Sequence, residues 1–228
     1  MNPPFSRFMT SSAFLPVITS AQLASAYSYA AYRQLIDELL AADKTTGPQQ
    51  SAELTDYTRL NVQRMRRLDK TVRLLPAVQS ALAALTRSYR WLIITEGWCG
   101  DASQIVPVLE AIAQASGGKI TTHYLLRDEH PALMDAYLTN GARAIPKLVV
   151  LDPATRAEIT HWGPRPAPAQ KLLLDLKAQG ATHEEYAEQV HGWYAHDKTQ
   201  TTQGELLVLL GQLPQKQEAA SQDGEAAS

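Results

Sequence analysis

The sequence predicts an α/β protein with a mixed central sheet flanked by helices. Three observations carry that expectation. Short apolar runs of strand character fall at 89–95, 119–127, 147–151 and 158–162. Segments with apolar residues at helical spacing separate and surround them, giving the order α-β-α-β-α-β-β-α, which builds layers of helix on sheet. The single cysteine of the chain, Cys99, stands at one strand-to-helix turn, in the run Thr95-Glu96-Gly97-Trp98-Cys99-Gly100-Asp101-Ala102.

Taken in order, residues 1–20 read as an irregular arm. A helix is predicted over 21–42, with Tyr29, Tyr32, Leu35, Ile36, Leu39 and Leu40 on one stripe, stopped by the Gly47-Pro48 pair. A second helix is predicted over 51–72, capped by Ser51, with Leu54, Tyr57, Asn61, Met65, Leu68 and Val72 on its inner face. Residues 76–87 form a helix with proline in its first turn, followed by the strand 89–95. The helix 101–116 contains Pro107. The strand 119–127 follows Gly117-Gly118, and a short helix, 131–139, ends at Asn140-Gly141. The strands 147–151 and 158–162 flank a turn at Asp152-Pro153, and a helix follows over 166–179. A helix near 184–194 and an apolar segment near 206–213 precede a small, polar tail. The corresponding organisation is an N-terminal arm and helical extension over 1–75, a core domain over 76–180, a C-terminal helical segment over 181–214 and a disordered tail over 215–228.

Composition narrows the function. Hydrophobic residues make up 45% of the 228 and charged residues 19%, which suits a folded domain with a sizeable core. A net charge of −2 argues against a nucleic-acid binder. The basic run Arg59, Arg64, Arg66, Arg67, Lys70 and Arg73 therefore reads as a solvated helix face or as arginines docked on acidic neighbours. No apolar stretch reaches the roughly 18 residues of a membrane span. The segment 11–26 lacks the charged start and unbroken apolar run of a signal peptide, so a cytoplasmic location is expected. One cysteine makes no internal disulfide. His183, His191 and His196 are not spaced to stack imidazoles on one helix face, and neither a metal nor another cofactor is expected.

Three features coincide in chain order. Trp98-Cys99-Gly100 lies at a strand-to-helix turn, Pro107 lies within the following helix, and Arg143-Ala144-Ile145-Pro146 directly precedes a strand. Together they resemble the thioredoxin family over residues 76–180. Asp101-Ala102 stands where that family has Pro-Cys. The run Lys44-Thr45-Thr46-Gly47 and the segment 61–70 (NVQRMRRLDK) are similar to a bacterial subgroup of uncharacterised thioredoxin-family proteins, over most of the chain. The resemblance implies a thioredoxin fold with an N-terminal helical extension and C-terminal helices. It also implies a cis peptide bond before Pro146, facing the cysteine.

Candidate catalytic residues are Cys99, Glu96 and Asp101. A thiol at a helix N-terminus is favoured as thiolate, and a turn is usually exposed, so a solvent-reachable, partly activated Cys99 is expected over a buried inert one. Asp101 either raises the thiol pKa by charge repulsion or caps the helix with its charge turned away. Glu96 is a proton acceptor for the thiol, an exposed loop carboxylate or an ion-pair partner for Arg143. Candidate substrate-binding residues are Trp98, Gly100, Ile145, Pro146 and Arg143. Trp98 shields the thiol, and Ile145 and Pro146 offer backbone groups to an extended ligand. Arg143 supplies positive charge or is a salt-bridged surface residue.

Ala102 sets the mechanism. Without a second cysteine, a mixed disulfide on Cys99 is not resolved from within the chain, so self-resolving dithiol reductase turnover is excluded. The expected function is monothiol exchange with a thiol-containing protein or low-molecular-weight thiol, an external thiol resolving the adduct. The rival is a non-catalytic binding module using the groove around Trp98 and Pro146. A peroxide-reducing enzyme ranks last, because the motif lacks supporting acid–base residues.

Overall fold

The fold is built on β1 (Tyr89–Thr95), whose only side chain not fully buried is Arg90. Such a continuous apolar run belongs at the centre of a sheet covered on both faces. In the computed structural model, which describes residues 18–215, β1 pairs in parallel with β2 (Ile120–Leu126) on one side and antiparallel with β3 (Lys147–Leu151) on the other. The strand β4 (Glu158–Trp162) pairs antiparallel with β3, giving the order β2-β1-β3-β4. This is the expected mixed sheet. Most of the predicted arm 1–20 and of the tail 215–228 lies outside the described residues.

The helix predicted over 21–42 is two helices, α1 (Ser20–Ser25) and α2 (Tyr29–Ala41). Local capping and a distant partner both act against continuity. Thr19 forms a capping box with Gln22, and the Ser28 hydroxyl accepts from the Ala31 N–H at the start of α2. Between them, Tyr27 forms an antiparallel bridge to Tyr124, with both N–H···O bonds at 2.8 and 2.9 Å. The bridge covers the outer edge of β2, which would otherwise present unpaired backbone groups. Tyr32 of α2 then stacks on the Tyr124 ring at 5.4 Å, both side chains fully buried.

The second predicted helix is α3 (Ala52–Thr71), with Ser51 as its N-cap. Its inner face, including Thr58, Asn61, Val62 and Met65, packs on α5 (Gly100–Ala115). On its outer face Arg59 pairs with Asp43 and Asp56, and Arg66 pairs with Asp37. α4 (Pro76–Ala83) is shorter than predicted, and so is α6 (Pro131–Asp135), which follows a 3₁₀ turn at Arg127–Glu129. α7 (Ala167–Ala178) leads through a second capping box, Thr182 with Glu185, into α8 (His183–Asp197) and α9 (Gln200–Gln212). α8 packs on α7 and on α5, which brings the C-terminal helices to the end of β1 where Cys99 lies.

Candidate functional site

Cys99 is the N-cap of α5. Its sulfur takes the place a serine or aspartate oxygen usually fills, accepting from the Ala102 N–H at 3.5 Å. Its own S–H donates to the Ile145 carbonyl at 3.4 Å. The Ile145–Pro146 peptide bond is cis. Gly163 braces the same segment from behind. At φ +106 it sits where a Cβ would lie 2.5 Å from the Pro146 carbonyl oxygen, so only glycine fits.

The expectation of an exposed, partly activated thiol is overturned. Cys99 is 7% exposed, and burial, reinforced by the Asp101 charge, pushes its pKa up to about 12. The helix N–H of Ala102 and the Arg165 guanidinium act in the opposite direction without prevailing. Desolvating a thiolate outweighs a helix terminus because the terminus carries only a partial charge. The resting sulfur is a neutral thiol.

Asp101 is not the helix cap; sulfur holds that position. The carboxylate is instead buried in a network, accepting from the Tyr194 hydroxyl at 2.9 Å and pairing with Arg165 at 2.5 Å. Glu96 is neither an exposed loop carboxylate nor a partner of Arg143. It is fully buried at the end of β1, where it accepts from the Asp128 N–H at 2.9 Å and from Thr46. Its second carboxylate oxygen is buried and unpartnered. Burial pushes the Glu96 pKa up to about 7 despite these donors. Arg143 is exposed and makes a two-pronged pair with Asp135 at 2.6 and 2.7 Å, which is its salt-bridged surface reading.

A cleft of about 390 Å³ opens onto the sulfur. Trp98, Cys99, Gly100, Asp101, Arg143 and Ile145 line it, whereas Glu96 and Pro146 do not. The half-buried Trp98 carries the Arg127 guanidinium 4.6 Å above its ring. Several lining residues were not foreseen: Tyr57 from α3, Leu173 and Lys177 from α7, and His183, Tyr186 and His191 from α8. Gly100 admits this cover, since a Cβ there would meet the His191 ring nitrogen Nε2 at 2.7 Å. Burial lowers His191 to about 4, and its Nδ1 faces the Gln104 amide at 3.4 Å, so it is a neutral wall of the cleft. Arg165 had one legible signal: it sits in Gly163-Pro164-Arg165-Pro166, a run whose prolines restrict the backbone. Among the described residues no group of three His, Cys, Asp or Glu side chains is placed to hold a metal ion. No described helix is long and apolar enough to cross a membrane.

The thioredoxin family model matches residues 47–187, more than half of the chain. The chain belongs to the thioredoxin family. The matched span takes in α3 as well as the sheet, and ends within α8. A thioredoxin from Rhodospirillum rubrum is 40% identical over 53 residues, 23% of this chain; the match spans 48% of the relative's length. Among solved structures, a protein of unknown function from Pseudomonas aeruginosa superposes with a TM-score of 0.55 at 18% identity, covering 85% of this chain and 98% of the other. An HIV epitope scaffold gives 0.50 at 20% identity, covering 82% of this chain and all of the scaffold. These two likenesses concern the fold alone. This thioredoxin-family chain thus combines a redox-type fold with one cysteine, and has alanine three residues further on.

Proposed function

We propose that this protein exchanges thiols through a mixed disulfide at Cys99, and that an external thiol completes each cycle. The observation that carries the reading is the Cys99 sulfur held against the Ile145 carbonyl at the wall of an open cleft. A partner segment whose N–H takes the Ile145 carbonyl as acceptor displaces the S–H from it. The freed thiol loses its proton to solvent, and the sulfur attacks one sulfur of the partner's disulfide. A bond forms between Cys99 and that sulfur, the partner's S–S bond breaks, and the second partner sulfur leaves as thiolate and takes up a proton. Cys99 is thereby oxidised and the leaving sulfur reduced. A second, external thiol attacks the mixed disulfide and returns Cys99 to its thiol, because Ala102 has no sulfur to do so. Trp98, Gly100 and Ile145 form the walls, and Arg143 stands at the rim. Glu96 has no part in this scheme, since it does not line the cleft.

The same burial favours a second reading, in which the cleft docks a partner without covalent chemistry. One experiment separates the two. The chain and its Cys99→Ser variant are incubated with glutathione disulfide across neutral to alkaline pH, and adducts are weighed by mass spectrometry. Thiol exchange predicts a glutathione adduct on Cys99 that grows as pH rises and is absent from the variant. An unmodified Cys99 throughout that range would overturn exchange and leave the docking groove.

A further inference from the structure

The two motifs in the N-terminal extension, Lys44–Gly47 and the segment beginning at Asn61, play no part in the chemistry above. Both reach the backbone of the same residue, Gly97. The Gly97 N–H donates to the Thr46 Oγ1 at 2.8 Å, and the Asn61 Nδ2 donates to the Gly97 carbonyl at 3.1 Å. Gly97 lies between the end of β1 and the start of α5, where neither a sheet ladder nor a helix supplies partners for its backbone groups. Buried backbone groups need them, and two side chains from elsewhere in the fold provide both.

Each of those side chains has a determined orientation. The Thr46 hydroxyl accepts from Gly97 and donates to the Glu96 carboxylate. The Asn61 amide oxygen accepts from the Arg64 guanidinium at 2.9 Å, which turns its NH₂ toward Gly97. Thr46 is 2% exposed and Asn61 fully buried, so water does not substitute for either. Ile36 of α2 presses on the third side, within 3.1 Å of where a Gly97 Cβ would lie. Gly97 lies only two residues before Cys99, so whatever holds its backbone also holds the sulfur in its buried position.

We propose that Thr46 and Asn61 are positioning residues that clamp the Gly97–Trp98 turn and thereby keep the Cys99 thiol buried against Ile145. The inference takes its interest in Cys99 from the proposed exchange, but its test needs no partner. The full chain is alkylated with iodoacetamide at one mildly alkaline pH, and the rate at Cys99 is followed by mass spectrometry beside the melting temperature. Thr46→Val removes the hydroxyl at nearly constant volume, and is expected to speed alkylation about fivefold, the population change that one lost buried hydrogen bond allows. Thr46→Ser keeps the hydroxyl and is expected to restore the wild-type rate. Thr58→Val is the control. Thr58 is equally buried on α3 and bonds to Thr45 at 2.6 Å, with no bond to Gly97. It is expected to lower the melting temperature without changing the alkylation rate. A Thr46→Val rate equal to wild type, or no faster than that of Thr58→Val, overturns the proposal. Should Thr46→Val fail to fold, Asn61→Ala judged by the same comparison decides it. Absence of a glutathione adduct would sink the exchange reading and leave this result intact.

Discussion

Cys99 and Glu96 are two buried acids three residues apart, and burial pushes both toward their neutral forms, yet they sit in opposite surroundings. Cys99 faces the cleft, with its S–H satisfied by Ile145 and a charged pair, Asp101 with Arg165, beside it. Glu96 faces the extension, with one oxygen held by Asp128 and the other without a partner. The thiol is pushed to about 12, so it stays protonated through the physiological range. The carboxylic acid is pushed only to about 7, so it titrates within that range. Burial is the largest cause of both shifts, and the two groups end at different values because a thiol starts from 9.0 and a carboxylic acid from 4.5.

Three substitutions probe this contrast, in decreasing order of effect. Asp101→Asn removes the charge that helps hold the thiol up and leaves the Arg165 guanidinium uncompensated in a mostly buried position. The variant is expected to lose about 3 kcal/mol of stability in urea unfolding, the usual cost of breaking a buried pair from one side. Its Cys99 titration, read from thiolate ultraviolet absorbance, should fall below the wild-type midpoint near 12. An unchanged midpoint would mean that burial alone sets the thiol and that the Asp101–Arg165 pair is irrelevant to it.

Glu96→Gln tests the other side. The folded-state pKa is raised from 4.5 to about 7, so between those values the folded protein keeps a proton that the unfolded chain has lost. Wild-type stability should therefore fall as pH rises through that window, and remain lowered above it. The variant cannot ionise there, so its stability should stay level and exceed wild type above neutral pH by on the order of 2 kcal/mol. Parallel curves for the two proteins would show that Glu96 does not carry this titration.

Arg143→Ala is expected to do least. Its pair with Asp135 is open to solvent, where screening and side-chain entropy cancel most of the attraction. The denaturation midpoint and the yield of Cys99–glutathione adduct should both match wild type. A lost adduct would move Arg143 from the rim of the site into its binding machinery.

Much of the architecture was legible locally. The strands at 89–95, 147–151 and 158–162 were foreseen with the bounds the structure gives, because buried strands show as short apolar runs bounded by turns. The α3 start was foreseen from Ser51, whose hydroxyl makes the expected cap. The break between α1 and α2 was not, because the Tyr27 bridge depends on Tyr124, far along the chain. The cleft shows the same division. Trp98, Cys99, Gly100 and Asp101 announced themselves as one contiguous motif at a turn. The walls from α8, His183, Tyr186 and His191, left no local signal, since a histidine or tyrosine on an amphipathic helix reads the same whether it faces a cleft or water.

The sequence by itself determined the α/β order, the placement of the lone cysteine at a helix start, and the absence of a resolving partner at Ala102. Those are properties of short windows: apolar periodicity, caps and residue identity. The tertiary structure alone decided that this cysteine is buried, protonated and aimed at Ile145, and that Asp101 is a network member rather than a cap. The reason is physical. A helix start can be read from its neighbours in sequence, but the solvation of its sulfur depends on Ile145, Arg165 and Tyr194, which only the folded chain brings together.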